Sequence, residues 1–223
     1  MKMKVVQCWD DCTTNDIRLC TLLRKHNAKA TFNVNAGLHR KENKNGWTTR
    51  DGLHIERLDW DIMPELYDGF TIASHGLTHQ HMEKLPPDRL RHEIVHGRAQ
   101  LQRHFKQDIP GFAYPFGGYN DTVKQALRDA GHLYARTCHN VDFPFPPADP
   151  MEFHPTCHFL APDFWQRYEK ARADTAHPHS VFYFWGHSYE LTTEPLWTAF
   201  DTLLHRIASD PSATWADLPT LFQ

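Results

Sequence analysis

The sequence predicts an α/β protein built on parallel strands, and three observations carry that expectation. A strand, a helix and a second strand follow one another within little more than thirty residues at the start of the chain, the spacing of a crossover between parallel neighbours. Strand-like and helix-like patterns then alternate along the rest of the 223 residues, with no internal repeat. The side chains best suited to chemistry, in Asp10-Asp11, at His75 and His79, in Tyr114-Pro115-Phe116 and at His187, all fall where a strand is expected to end. In barrels and in open sheets of this class, reactive groups gather at those carboxyl ends.

Taken in order, residues 5–9 read as the first strand, ending at Asp10-Asp11. Thr13, Thr14 or Asn15 can cap a helix that carries Ile17, Leu19, Cys20, Leu22 and Leu23. Residues 30–34 form the second strand. Residues 37–60 are polar and irregular around Lys41-Glu42-Asn43-Lys44-Asn45-Gly46, which predicts a surface insertion. A short helix is expected over 62–67 and a strand over 70–73. Leu90, Ile94, Leu101 and Phe105 lie on one stripe of a helix expected over 88–105, behind Pro86-Pro87. The remaining expectations are strands at 111–114, 133–135, 153–159 and 180–185, helices at 119–129, 163–173 and 194–207, and a proline-rich loop over 140–150. Residues 213–222 finish one domain spanning the whole chain.

A composition 40% hydrophobic and 23% charged suits a globular protein with a sizeable core. The net charge of −3 and the lack of a dense Lys/Arg block argue against nucleic acid as a partner. The most basic stretch, residues 89–106, is interrupted by Glu93 and reads as a solvated helix face. Five cysteines without a Cys-x-x-Cys pair fit reduced thiols. No run of apolar residues reaches the ~18 of a membrane span. With no apolar leader at the N-terminus, the expectation is a cytoplasmic chain.

His75 and His79 are four residues apart, a spacing that puts two imidazoles on one face of a helical turn. Two such groups and a third protein ligand can hold one metal ion with a position left for water. A chain with 17 histidines produces such pairs by chance, so the other ligand and the acid–base groups must come from elsewhere. Adjacent carboxylates such as Asp10-Asp11 can divide the work of ligand and base. They also serve as plain helix caps.

Read together and in order, Asp10-Asp11, Ala30-Thr31-Phe32, Ser74-His75-Gly76-Leu77-Thr78-His79, Ala113-Tyr114-Pro115-Phe116-Gly117 and Gly186-His187 resemble the motifs of the polysaccharide deacetylases. This is the NodB-homology domain of carbohydrate esterase family four. The resemblance spans most of the chain; its specific parts are the histidine motif and the tandem aspartates. It implies a distorted (β/α) barrel and a metal-dependent hydrolase that removes acetyl from an N-acetylated sugar or oligosaccharide. Asp11, His75 and His79 would ligate one divalent metal ion, most commonly zinc. Asp10 would be the base acting on water, the backbone N–H near Phe116 an oxyanion donor, and His187 the acid that protonates the leaving amine. Tyr114, Phe116 and Trp185 are expected to line the substrate. His154 and His158, in His154-Pro155-Thr156-Cys157-His158, read as structural or substrate-lining.

The chain departs from the family pattern in three places. Cys8-Trp9-Asp10-Asp11-Cys12 stands where Thr-Phe-Asp-Asp-Gly is usual. The arginine that normally precedes the motif-three proline and steadies the base is absent, with Ala113 near its place, and Arg136 is expected to substitute for it. Gly186-His187 lacks a leucine-rich approach, although Phe182, Phe184 and Trp185 supply similar bulk. Other family members act on non-sugar amides and formamides, so a deformylase or cyclic-amide hydrolase is the neighbouring reading. A catalytically silent carbohydrate-binding domain is the reading from another class, and the full set of five site residues argues against it. In the cytoplasm the substrate would be an oligosaccharide, a lipid- or nucleotide-linked sugar, or another N-acyl compound.

Overall fold

A computed structural model describes residues 2–39, 46–174 and 180–223. The main sheet is wholly parallel and is ordered around β1 (Met3–Asp10). On one edge β1 pairs with β9 (Val181–Gly186); on the other, β2 (Thr31–Val34) takes its C-terminal half and β10 (Ala213–Trp215) its N-terminal half. From β2 the sheet continues through β5 (Thr71–Ser74) and β6 (Gly111–Ala113) to β7 (Tyr134–Arg136), and from β9 to the short β8 (Cys157–His158). Residues 153–158 join the two ends. Phe153 bridges β7, with its N–H on Ala135 O at 2.9 Å, and Thr156 donates to Tyr183 O of β9 at 2.6 Å. The sheet therefore curls into a distorted barrel. The strand expected over 153–159 shrinks to two residues because Phe153 turns toward β7 and Pro155 has no N–H to give to a ladder.

Alternation along β1 shows how the barrel is filled. Val5 and Trp9 pack outward with Leu19 and Leu23 of α1 (Asp16–Lys25) and Phe200 and Leu204 of α7 (Glu194–Ala208). Val6 and Cys8 point to the interior, where they meet Tyr134, Phe153 and Tyr183. On the flank of β6 and β7, Val123 and Leu127 of α5 (Asp121–Asp129) pack with Leu90 and Ile94. All five cysteines are free. Among the described residues, no helix is long and apolar enough to cross a membrane.

Two expectations change. The helix over 88–105 is three pieces: α3 (Pro87–Arg91), a π-turn (His92–His96) and α4 (Gly97–Phe105). The π-turn accompanies the inward placement of Glu93, which is 1% exposed and not on a solvated face. Residues 40–45, the centre of the expected insertion, lie outside the described residues. The insertion that follows is not wholly irregular, because β3 (Trp47–Thr48) and β4 (His54–Ile55) form a small antiparallel pair.

Candidate active site

The period-two rule that fills the barrel also builds the site. Val6 and Cys8 line the interior, so the next residue on that face is Asp10, at the last position of β1. Tyr134 is followed on its face by Arg136, and Tyr183 by Trp185 and then His187 just past β9. Asn33 of β2 donates to Asp10 Oδ1 at 2.7 Å. The interior faces of four strands thus converge at one mouth of the barrel. Asp11 follows with φ +72° and Cys12 with φ +51°. That left-handed turn brings a second, adjacent carboxylate to the same cavity and is strained for residues with a Cβ by about 1–3 kcal/mol each. Cys12 takes the left-handed position where the family usually has glycine.

His75 and His79 come together, but not on a helix. Residues 75–80 form a loop in which Gly76 (φ +75°) and His79 (φ +56°) are both left-handed. Their rings lie 4.8 Å apart all the same. Glu93 stabilises this shape from the π-turn, accepting from Leu77 N at 2.9 Å, Thr78 N at 2.8 Å and Thr78 Oγ1 at 2.6 Å. A carboxylate from another element thus caps the Leu77 and Thr78 amides and the Thr78 hydroxyl. The left-handed backbone at Gly76 and His79, which no α-helix accommodates, makes a loop of the expected helical turn.

The donor atoms of Asp11, His75 and His79 all lie within 4.8 Å of one another. Asp11 Oδ1 is 3.8 Å from His75 Nε2 and 3.5 Å from His79 Nε2. His75 Nδ1 donates to Ala113 O at 2.8 Å, which fixes the tautomer and leaves Nε2 with its lone pair toward Asp11. Burial, followed by repulsion from His75, pushes the His79 imidazole down to about 4, so it is neutral near pH 7. Two imidazoles and one carboxylate fit a divalent cation of the zinc type.

Arg136 is completely buried and pairs with Asp10 Oδ2 through Nη2. Its guanidinium lies 4.5 Å over the Trp185 ring. Burial alone would raise the Asp10 pKa, but Arg136 above all, then His75 and His187, hold the carboxyl well below the usual carboxylate range. Across the cavity, His187 Nε2 lies 3.8 Å from Asp10 Oδ2 and 3.9 Å from Asp11 Oδ2. His187 Nδ1 donates to Glu190 Oε2 at 3.2 Å, and His158 Nε2 donates to the same oxygen at 3.0 Å. Burial opposes protonation of His187, yet Glu190 and then the two aspartates raise its pKa. Glu190 itself is held down to about 2: burial works against this, and the bonds from His158 and His187 outweigh it.

These groups border a cavity of about 500 Å³. Phe116 is 61% exposed at its rim, stacked on His81 at 4.0 Å and edge-on to His79 at 4.5 Å. Trp185 is half-buried in its wall. Tyr114 differs from the expectation. It borders the cavity, but only 1% of it is exposed, its hydroxyl donates to Met151 O at 2.8 Å and its ring stacks on Tyr119, so no face is open to a sugar. Trp47, Arg57 and Tyr189 also line the cavity, and Glu190 stands behind His187. Sequence reasoning passed over all four. The only available signal was an aromatic and a cation inside a polar insertion, and a carboxylate three residues after His187.

A curled parallel sheet with carboxylates and histidines at the carboxyl ends of its strands defines a distorted α/β barrel with a candidate metal site at its mouth. The profile of the polysaccharide deacetylase family matches residues 1–135, more than half of the chain, and the chain belongs to that family. Among solved structures, a deacetylase of Streptococcus pyogenes in complex with acetate is 25% identical, with a TM-score of 0.52 over 60% of this chain and 55% of that one. The present chain thus spans little more than half of that protein. A Bacillus anthracis pseudoenzyme of carbohydrate esterase family four is 17% identical, with a TM-score of 0.64 over 100% of this chain and 66% of that one. A family four acetyl xylan esterase from Clostridium thermocellum, in complex with cobalt, is 18% identical, with a TM-score of 0.59 over 98% and 90%. These last two establish the shared fold. No curated protein sequence matches the chain.

Proposed function

We propose that the protein is a metal-dependent deacetylase that hydrolyses the acetamide of an N-acetylated sugar or oligosaccharide. One observation carries the reading: a three-donor cluster, Asp11, His75 and His79, stands beside both a buried ion-paired carboxylate, Asp10, and a protonatable imidazole, His187. A divalent cation held by that cluster, zinc by its donor set, would polarise the acyl carbonyl and acidify water enough for a base as weak as Asp10. The esterase from Clostridium thermocellum, solved with cobalt, supports such a cation.

The chain's own residues supply the rest. Asp10, kept ionised by Arg136 and oriented by Asn33, accepts the proton of the attacking water. The backbone N–H of Phe116 lies in the first turn of the short 3₁₀ segment Pro115–Gly117, where it has no partner within that turn, and donates to the developing oxyanion. His187 gives its proton to the departing amine, which is too basic to leave as an anion. Glu190 orients that imidazole, and His158 braces Glu190. Phe116 and Trp185 bound the sugar.

The experiment is release of acetate and formate from N-acyl sugars and simple amides, with and without chelator, and after zinc is added back. Acetate release from the sugars, abolished by chelation and restored by zinc, is the expected result. Formate in its place points to a deformylase. Chelator-resistant turnover, or protein that takes up no metal, sinks the reading.

Glu190→Gln provides a separate check on the acid. The raised pKa of His187 keeps it protonated to higher pH, and activity that needs His187 protonated is lost as pH rises through that value. Removing the Glu190 charge lowers the pKa, so the alkaline limb of the kcat profile should move to lower pH. An unmoved limb would remove Glu190 from the acid's support.

A further inference from the structure

We propose that Arg57 is an anion-recognition residue of the cavity and that the N-acyl substrate carries a carboxylate or phosphate group. The inference rests on the deacetylase reading and narrows its substrate class. Arg57 lines the same cavity as Asp11 and His79. Its backbone is pinned immediately beyond the aspartates. Residue 57 bridges Thr13 in antiparallel fashion, Thr14 N donates to Glu56 O at 3.0 Å and Leu58 N donates to Cys12 O at 3.0 Å. Its guanidinium lies 4.5 Å over the Trp47 ring, which in turn meets Tyr189 edge-on at 5.4 Å. A guanidinium fixed by its backbone and by an aromatic face leaves its edge for a planar, two-pronged acceptor.

That edge has no anion of its own. Nε of Arg57 is buried without a hydrogen-bond partner, and among the described residues Arg57 forms no ion pair or side-chain hydrogen bond. Neither carboxylate nearby pairs with it directly. Asp10 is held by the buried Arg136, and Asp11, whose field reaches Arg57, faces His75 and His79 and makes no ion pair with the guanidinium. Arg57 is therefore a surplus, pre-oriented positive charge on the wall where the substrate enters. Such charges raise affinity for ligands of opposite sign because little ordering is left to be done on binding. The amide chemistry makes no demand for a second cation at this place. An oxyanion elsewhere on the sugar does.

The test uses four compounds: N-acetylglucosamine and N,N′-diacetylchitobiose as neutral sugars, N-acetylmuramic acid as the carboxylate and the phosphate monoester of N-acetylglucosamine as the phosphate. Acetate release and calorimetric binding are measured on the intact protein and on Arg57→Gln and Arg57→Lys. We expect at least one anionic sugar to exceed its neutral counterpart in kcat/KM and in affinity by about tenfold or more, a factor corresponding to about 1.4 kcal/mol. That ratio should collapse in Arg57→Gln and be kept in part by Arg57→Lys, which retains the charge but not the fork. The arm that shows the preference identifies the oxyanion. Equal binding of neutral and anionic sugars by the wild type, or an equal loss on both in Arg57→Gln, overturns the proposal. Arg57-dependent binding of the anionic sugars without acetate release would keep the anion site and sink the deacetylase reading. Acetate release without charge preference would do the reverse.

Discussion

Arg136→Met is expected to destabilise the protein by about 3–5 kcal/mol, because it leaves Asp10 buried without its counter-ion. For a chain of this size that is a fall in Tm of roughly 6–20 °C, measurable by circular dichroism. Deacetylase activity should fall with it even at temperatures where the variant is folded. With Arg136 gone, burial pushes the Asp10 carboxyl toward its neutral form, and a protonated carboxyl cannot accept the proton of water. The double variant Asp10→Asn/Arg136→Met separates the two consequences. Removing both partners of a buried pair is far less damaging than removing one, so stability should largely return while activity does not. If the single variant keeps wild-type stability and turnover, the Arg136–Asp10 pair supports neither fold nor base. If the double variant recovers activity with stability, Asp10 is not the base.

Much of this arrangement is legible in the chain because it follows from local rules. Alternation along a strand carries the interior face from Val6 and Cys8 to Asp10, and from Tyr183 to His187, so the convergence of groups at one mouth needs only strand ends and parity. Arg136 is found the same way. A missing cation at one motif sends the search to the next strand end, and Arg136 is one residue beyond the expected end of its strand, on the face of Tyr134. What parity cannot carry is anything decided by a distant element. The loop around His75 and His79 depends on a carboxylate, Glu93, that only a π-turn presents, and by itself the His-x-x-x-His spacing reads as a helix. Tyr114 and Phe116 look alike in sequence, two aromatics flanking a proline. Tyr114 falls into the core because Met151 O waits for its hydroxyl, while Phe116, with φ +57°, is turned out over His81. Trp47 and Arg57 reach the cavity only because residues 56–58 pair with residues 12–14.

The division of labour between the tandem aspartates is open to a direct experiment. Asp10→Asn should lower turnover by about 10²–10⁴, the span expected for loss of a positioned base, and leave metal stoichiometry close to that of the wild type. Asparagine keeps an acceptor for the buried Arg136, so metal content and activity are measured alongside thermal unfolding to separate a lost base from a weakened fold. His79→Ala should lose metal and activity together, since one of three donors is gone. Alanine also inherits a left-handed backbone at φ +56°, so His79→Asn is the better-tolerated companion, as asparagine accepts that conformation more readily. The two residues are expected to behave differently because of their surroundings. Asp10 points to Arg136 and Asn33, with both oxygens engaged, whereas Asp11 faces two imidazole nitrogens at 3.5 and 3.8 Å. An oxygen already gripped by a guanidinium is a poor metal ligand, whereas an Asp11 oxygen facing two imidazole nitrogens has no direct cationic partner of that kind. Equal metal loss in Asp10→Asn and His79→Ala would mean that this inference from neighbours is wrong and that Asp10 belongs to the ligand set.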